Sequence, residues 1–199
     1  MRPKTLLEIA GATATPARLG TAAIVVIDAQ QEYVDGKLAL PAVAPALDEI
    51  GRLLARGRAV GTPIIHIVHQ GGPNGPFAPG SPGAEIVSPA APAPGEAVLT
   101  KRLPNAFAST DLATRVAALK RPELVLVGFM THMCVEATAR AAIDNGLKAT
   151  VIAGATATRD LPDPLGGAAV PAAEVQRNAL AALADRFATI VATAEAVRD

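Results

Sequence analysis

The sequence predicts an α/β fold in which a mainly parallel, six-stranded sheet is covered by helices on both faces. Apolar runs of strand length alternate about six times with segments of helical spacing along the 199 residues. The runs are nearly continuous, which is typical of strands buried on both faces of a parallel sheet. No internal repeat or linker interrupts this order, so we expect one domain, residues 1–199.

The first half of the chain contributes two strands, a helix and a long loop. The run "TAAIVVIDA" predicts a strand at 21–29, and "TPIIHIVHQ" predicts a second at 62–70. Between them, the spacing of Val43, Leu47, Ile50 and Leu54 predicts a helix over 43–58. Residues 71–96 are dense in proline and glycine, so we expect a long surface loop that lines a site.

The second half repeats the alternation. Each of its three helices carries an end signal. The first opens with a capping residue and an acidic first turn, the second stops at a glycine, and the third has a proline near its start. Its strands are predicted at 97–101, 123–129, 147–155 and within 188–197, and its helices at 109–120, from about 134 to 145, and at 171–187.

Composition excludes several functional classes. Lys plus Arg and Asp plus Glu are balanced at 18 each, so no net charge attracts the chain to nucleic acid or to a membrane. No apolar run approaches the roughly 20 residues of a membrane span, and residues 1–20 are too weakly hydrophobic for a signal peptide. The single cysteine, Cys134, excludes an intrachain disulfide. We therefore expect a cytoplasmic protein with no nucleic-acid or membrane partner.

Reactive side chains follow three of the predicted strands. Asp28 ends the first, Lys101 ends the third, and Cys134 lies in the first helical turn after the fourth. The carboxyl ends of parallel strands meet at one edge, where ligands bind. The helix N-terminus and Lys101 favour a thiolate at Cys134, while Asp28 is suited to accept its proton and return it to a leaving group. The N–H groups of "FMTHMC" are suited to hold an oxyanion.

Each of these residues also has a structural interpretation when it is taken alone. A lone cysteine in an alanine-rich helix is more often a small core residue, an aspartate at a strand end often caps, and a lysine before a loop is usually solvated. A binding protein without catalysis therefore remains an alternative. An activated Cys134 should react with iodoacetamide faster, and at lower pH, than an ordinary thiol with a pKa of about 8.5.

Three segments resemble the signatures of the isochorismatase-like cysteine hydrolases. They are "VVIDAQQEY" (25–33), "LTKRLPNAFASTDL" (99–112) and "VGFMTHMCVEATARAAIDNG" (127–146). The third follows the specific pattern G-x-x-T-x-x-C-V-x-x-T-A-R-x-A, and the resemblance covers nearly the whole chain in the same order.

The resemblance implies a Rossmann-like, three-layer αβα fold and a hydrolase with an Asp–Lys–Cys triad at Asp28, Lys101 and Cys134. In such amidases the cysteine forms a thioester acyl-enzyme and cleaves a C–N bond of a small amide, ureido or cyclic-amide substrate. The resemblance places the oxyanion hole at the backbone amides of Met130 and Cys134, and a cis peptide bond between Phe129 and Met130. Some isochorismatases, which cleave a vinyl ether, lack the cysteine. Retention of Cys134 therefore favours C–N cleavage, with vinyl-ether hydrolysis as the alternative.

The histidines of the second strand argue against a metal. Nicotinamidases of this family bind a divalent metal through an Asp-x-His…His cluster, but this chain has no Asp-x-His there. His66 and His69 are three apart in a strand and point to opposite faces, so they cannot easily share a metal. We predict no metal and place His69, rather than His66, near the pocket. The glycine-rich stretches lack nucleotide-binding spacing, so no cofactor is expected.

Candidate substrate contacts are the side chains that follow strands one to four. Aromatic residues in such loops wall a pocket more naturally than they fill a core. For Gln30 the alternative to a substrate contact is an exposed loop amide, and for Thr131 it is a helix cap. The candidates are Tyr33, Phe77, Phe107, Gln30, His69 and Thr131. The loops at 71–96 and 161–171 would set specificity for a small molecule. By the resemblance, the small residues of "EATARAAIDN" support a homodimer or homotetramer.

Overall fold

Six strands form one sheet in the computed structural model, which describes residues 2–199. They are β1 (Ala22–Ile27), β2 (Ile64–His69), β3 (Ala97–Lys101), β4 (Glu123–Phe129), β5 (Lys148–Ala157) and β6 (Ala188–Val191). Within the described residues their order is β3-β2-β1-β4-β5-β6, and every neighbouring pair is parallel. The predicted fold class is confirmed. The chain adds β2 and β3 on one side of β1 and then β4, β5 and β6 on the other side. Ligands of open parallel sheets bind at such a switch point, here between β1 and β4.

Helices cover both faces of this sheet. They are α1 (Leu6–Ile9), α2 (Glu32–Asp35), α3 (Val43–Ala59), α4 (Leu112–Leu119), α5 (Glu136–Asp144) and α6 (Ala172–Arg186). Alternate residues of β1 enter two separate apolar clusters: Ile24 packs with α3, and Val25 packs with α4, α5 and α6. Burial on both faces explains the near-continuous apolar runs of the sequence.

Several predicted boundaries are wrong for identifiable reasons. The first strand ends at Ile27, because Asp28 takes a left-handed backbone with φ of 50°. The helix expected from Ser109 starts at Leu112, because Ser109 has a positive φ of 61° and the hydroxyl of Thr110 accepts from the amide of Leu112. The fifth strand continues to Ala157 past a register shift opposite β4. Helices α1 and α2 were not predicted.

Gly128 brings the carboxyl ends of β1 and β4 unusually close. Its φ is 112°, and a Cβ at this position would lie 1.9 Å from the carbonyl oxygen of Ile27. Only glycine accommodates both conditions. The residue after Ile27 is Asp28, so this close approach sets the aspartate beside the turn that carries Cys134.

None of the helices found within residues 2–199 combines the length and the apolar character that crossing a lipid bilayer requires.

Candidate active site

Asp28, Lys101 and Cys134 form one buried cluster at the carboxyl edge of the sheet. The ammonium Nζ of Lys101 lies 2.6 Å from Oδ2 of Asp28, and it donates a hydrogen bond of 3.2 Å to Sγ of Cys134. The first contact is an ion pair rather than a well-directed hydrogen bond. Lys101 and Asp28 are fully buried, and Cys134 is 5% exposed. Three residues from three different strand ends therefore share one enclosed volume.

Burial and charge oppose each other at Asp28. Removal from water raises the pKa of this carboxyl group to about 6, although the charge of Lys101 and the close polar contacts with Lys101 and Cys134 act to lower it. The carboxylate is therefore ionised at neutral pH. Its pKa lies close enough to neutrality for the group to accept a proton and give it back.

Cys134 differs from the sequence-based expectation of a stabilised thiolate. Burial, followed by the nearby Asp28 carboxylate, raises the pKa of this thiol to about 12, against the opposing effect of Lys101. The resting residue is thus a neutral thiol beside a base. Slow alkylation by iodoacetamide follows whether or not the protein is an enzyme, so the alkylation rate no longer separates these alternatives.

The turn that carries Cys134 is one turn of π-helix, Thr131–Val135, that leads directly into α5. The cysteine was expected in the first turn of the α-helix itself. The peptide bond between Phe129 and Met130 is cis. The carbonyl oxygen of Met130 accepts from the amides of Met133 and Val135, at 3.0 and 3.2 Å, which fixes the start of the turn.

Thr131 and His132 join this turn to the end of β5. The Thr131 hydroxyl donates to the carbonyl oxygen of Ala157 at 3.1 Å, so it does not cap the helix as the sequence allowed. Nδ1 of His132 hydrogen-bonds the hydroxyl group of Thr158. This fifth strand end was not among the predicted site positions, although the strand-end rule that selected Asp28 applies to it equally. The next residue, Arg159, is half-buried.

His69 lies at the cluster, as predicted, and contacts Lys101. Its Nδ1 is 3.2 Å from Nζ of Lys101. Burial, reinforced by the charge of Lys101, lowers the pKa of His69 to about 4, so the ring is neutral at pH 7. An ammonium group only donates, so Nδ1 accepts and the proton is on Nε2. Lys101 is thus held by three groups, and His69 presents an N–H on its other side.

Two substitutions at His69 should separate the role of Nδ1, which accepts from Lys101, from the role of Nε2–H, which faces away from Lys101. Asn retains an acceptor near the position of Nδ1, whereas Gln reaches nearer to Nε2. We expect His69→Asn to preserve kcat and raise KM about tenfold, and His69→Gln to preserve KM and lower kcat about tenfold. Steady-state kinetics on one substrate measures both values. Equal effects of the two variants on kcat would contradict this division.

Gln30 is placed differently from the prediction, because its side chain serves the backbone. Its amide nitrogen donates to the carbonyl oxygens of His69 and Ala84, at 3.0 and 2.9 Å, and its oxygen accepts from the amide of His69 at 2.7 Å. Both amide hydrogens are therefore used within the protein, and none is left to donate to a substrate. Gln30 instead holds the 71–96 loop against the end of β2.

Three aromatic side chains pack together in the core next to His69. Tyr33 packs edge-to-face against Phe77 and Phe129, with ring centroids 5.1 and 5.7 Å apart, and Phe77 also contacts His69 at 5.3 Å. Tyr33, Phe77 and Phe129 are buried in the same apolar cluster. Phe107 is half-buried on the other face, against the cluster that contains Cys134. Tyr33 and Phe77 were predicted to wall a pocket rather than to fill a core, but both are buried in the core, and Tyr33 lies in α2 rather than in a loop.

The remaining histidine of β2 belongs to a separate polar group. Nε2 of His66 is 2.8 Å from Glu96, which also pairs with Arg58 at 2.8 Å. His66 was expected in the core and is 1% exposed. Among residues 2–199 no three His, Cys, Asp or Glu side chains are grouped as a metal site requires.

A cavity of about 500 Å³ lies at the end of β2 and borders the cluster only through His69. His69 and Arg102 line it together with residues 70–73 and Pro79. The 71–96 loop thus borders open space next to the site.

Comparison with known proteins identifies the family. Residues 22–195 match the family model of the isochorismatase domain. A secreted isochorismatase effector of Verticillium dahliae is 38% identical over 173 residues, covering 85% of this chain and 87% of that protein. Maleamate amidohydrolase of Pseudomonas putida is 32% identical over 147 residues, covering 65% of this chain and 69% of that protein.

A solved structure extends this similarity to the whole fold. The crystal structure of an isochorismatase from Pseudomonas putida KT2440 superposes with a TM-score of 0.94 at 38% identity, covering 98% of this chain and 100% of that one.

Proposed function

This chain is a hydrolase of the isochorismatase family, and we propose that it cleaves the C–N bond of a small amide, ureido or cyclic-amide substrate through Cys134. The single observation that carries the proposal is the buried contact of one lysine with both a carboxylate and a thiol. A relative described as an amidohydrolase supports the same class of reaction.

The first half of the reaction moves one proton and forms one bond. Asp28 takes the thiol proton as Sγ of Cys134 attacks the substrate carbonyl carbon, so no free thiolate accumulates. This order suits a thiol with a raised pKa beside a carboxylate with a pKa of about 6. The backbone N–H groups of Met130 and Cys134 hold the oxyanion of the tetrahedral intermediate. Asp28 then gives its proton to the leaving nitrogen, and a thioester remains.

The second half consumes water. Asp28 accepts a proton from water, whose oxygen attacks the thioester carbonyl carbon. Asp28 then returns that proton to the sulfur as the C–S bond breaks, which restores the thiol and releases a carboxylic acid, or a carbamic acid from a ureido substrate. Lys101 exchanges no proton in this scheme. It balances the Asp28 carboxylate and stabilises negative charge that develops on the sulfur.

The surrounding side chains bind and orient the small-molecule substrate. In this proposal Tyr33, Phe77 and Phe107 wall the site, while His69 and the backbone near Thr131 contribute polar contacts; Gln30 acts by holding the loop. We further propose a homodimer or homotetramer. Location in the cytoplasm, and the lack of a metal or other cofactor, stay predictions.

The pH dependence of kcat/KM should reveal Asp28. Its carboxyl group must be ionised to accept the thiol proton, so activity should be maximal above its pKa of about 6 and should fall about tenfold for each pH unit below it. Rates measured from pH 4.5 to 8 with the best substrate test this, and circular dichroism at each pH excludes acid unfolding. A rate that stayed constant down to pH 5 would contradict the assignment of Asp28 as the base.

A substrate screen tests the proposed function directly. Small amides, ureides and lactams are assayed for release of ammonia or an amine, with isochorismate assayed in parallel, using the wild-type protein and the Cys134→Ala variant. We expect at least one C–N substrate to be turned over only by the wild type. Turnover of isochorismate alone would overturn the proposal.

The second candidate is vinyl-ether cleavage, which is favoured by the similarity to a protein described as an isochorismatase. That reaction needs an acid and no nucleophilic sulfur. Activity that survives Cys134→Ala but not Asp28→Asn would support it.

A further inference from the structure

Strand β5 carries a bulge just before it reaches the candidate active site. Leu126 pairs with Val151 and Gly128 pairs with Thr156, so β5 advances five residues while β4 advances two. Residues 152–155 therefore leave the regular ladder with β4. A bulge beside a site changes the direction of the side chains that follow it. The last residues of β5 thus depend on how this bulge is held.

The bulge exchanges the two faces of β5. Before it, Ala149 and Val151 belong to the apolar cluster that contains Cys134, whereas after it Ala155 and Ala157 belong to the opposite cluster. The odd-numbered positions change sides because an odd number of extra residues reverses the alternation of a strand. The two threonines at the end of β5 therefore face the side of the sheet that contains Cys134.

One side chain of α6 closes the bulge. Nε2 of Gln176 donates to the hydroxyl oxygen of Thr156 at 2.9 Å, and it lies 3.4 Å from the carbonyl oxygens of both Ala153 and Thr156. The Thr156 hydroxyl in turn donates to the carbonyl oxygen of Ala153 at 3.0 Å. The amide of Gly154, within the bulge, donates to the carbonyl oxygen of Ala192 at 2.9 Å. The bulge is thus held between α6 and the segment after β6.

Gln176 is a polar exception on the inner face of α6. The buried residues of this helix, Val175, Ala179 and Leu183, are all apolar. Oε1 of Gln176 is also buried, and residues 2–199 supply no donor to it. An unpaired buried acceptor costs stability, which an apolar side chain of similar size would avoid. Stability alone therefore does not explain the amide.

The residues that follow the bulge hold the turn that carries Cys134. The carbonyl oxygen of Ala157 accepts from the Thr131 hydroxyl at 3.1 Å, and the Thr158 hydroxyl hydrogen-bonds Nδ1 of His132. Both contacts depend on the register in which β5 leaves the bulge, since a shift of one residue would exchange its two faces. This turn supplies the backbone N–H groups that the proposed mechanism uses for the oxyanion.

From these contacts we infer that Gln176 is a positioning residue for the reaction. Its amide keeps the register of the β5 bulge, and the end of β5 then aligns the oxyanion-binding amides of the turn. The catalytic part of this inference rests on the proposed C–N hydrolysis. Negative charge develops on the oxyanion only during the reaction, so a misaligned turn lowers kcat and leaves substrate binding nearly unchanged.

Two substitutions on either side of one hydrogen bond test this inference. Gln176→Met removes the amide at similar length, and Thr156→Val removes the hydroxyl at similar shape. We expect each to lower kcat for the best C–N substrate about 10–100-fold and to change KM less than about threefold. Because both act through the same contact, the double variant should be no slower than the slower single variant. Losses that multiply in the double variant would overturn the inference.

Asn178→Met is the matched control, because Asn178 is an exposed amide side chain on the same helix. It should leave kcat and KM unchanged. The urea midpoint of Gln176→Met should stay within about 0.5 M of the wild type, so that unfolded protein does not account for the loss. An unchanged kcat in Gln176→Met, or a loss that only matches its unfolded fraction, would overturn the inference.

Hydrogen exchange separates this inference from the proposed function, because it needs no substrate. The amides of Met133 and Val135, which donate to Met130, should exchange about tenfold faster or more in Gln176→Met, while those of β1 stay unchanged. Faster exchange in a protein whose wild type turns over no C–N substrate would refute C–N hydrolysis and leave the control of the turn standing. Wild-type turnover with unchanged exchange and unchanged kcat in Gln176→Met would reject the positioning role alone.

Discussion

Cys134→Ala should lower kcat/KM for the best C–N substrate by at least about 10³-fold while the protein stays folded. The reaction as proposed begins with a bond between Sγ of Cys134 and the carbonyl carbon, and no other cysteine exists in the chain. Removing a nucleophile leaves only binding and oxyanion stabilisation, which preserve a small remainder of the rate. This is the largest effect that we expect from a single substitution.

The stability of this variant should change little. Replacing the buried CH2–SH side chain by a methyl group removes one heavy atom, the sulfur, from a packed site and costs about 1 kcal/mol. Urea unfolding followed by circular dichroism, together with activity on the same preparation, separates lost chemistry from lost fold. Cys134→Ser is the matched control, because it keeps a nucleophilic atom of lower reactivity and should also be nearly inactive. Full activity in either variant would refute the thioester route.

Lys101→Met should destabilise the protein by about 3 kcal/mol and abolish turnover. The lysine is the counter-ion of Asp28, and both side chains are fully buried. Without it the carboxylate loses its charge partner, and the pKa of Asp28 rises above its present value of about 6. The aspartate then takes up a proton at neutral pH and can no longer act as the base.

The pH dependence of this loss has a defined sign. A carboxyl group whose pKa is raised by folding is protonated more readily in the folded protein, so stability increases as pH falls through the raised value. The destabilisation of Lys101→Met should therefore be larger at pH 7.5 than at pH 5. Urea unfolding at the two pH values measures this difference. An equal loss of stability at both pH values would show that the broken Asp28–Lys101 ion pair does not cause the destabilisation.

A double variant distinguishes the electrostatic effect of losing Lys101 from the effect of losing its packing. Asp28 has a left-handed backbone with φ of 50°, which asparagine tolerates better than most residues. Adding Asp28→Asn to Lys101→Met removes the titratable carboxyl group, and with it the cost of burying or protonating it, at nearly constant shape. We expect the double variant to regain most of the lost stability and none of the activity. If it is no more stable than Lys101→Met alone, the lysine acts through packing.

The local patterns of the sequence were sufficient to predict the fold and the members of the central cluster. A strand buried on both faces needs apolar residues at every position, so the runs at β1, β2 and β4 were visible directly. Catalytic groups of such folds follow strand ends, so Asp28, Lys101 and Cys134 were found by position and by the resemblance. Element ends were less predictable where the backbone turns left-handed, as at Asp28 and Ser109, because such turns depend on surrounding contacts.

What the sequence alone determined is therefore the order of strands and helices, and which reactive side chains arrive at one edge. Only the tertiary structure decided their state, because pKa values depend on burial and on distances between residues far apart in the chain. Burial and the nearby Asp28 raised the pKa of Cys134; folding also gave His69 a hydrogen bond with Lys101 and committed Gln30 to the backbone. It also placed Gln176 of α6 on the bulge of β5, which no local pattern could reveal because pairing is decided by what the fold brings near.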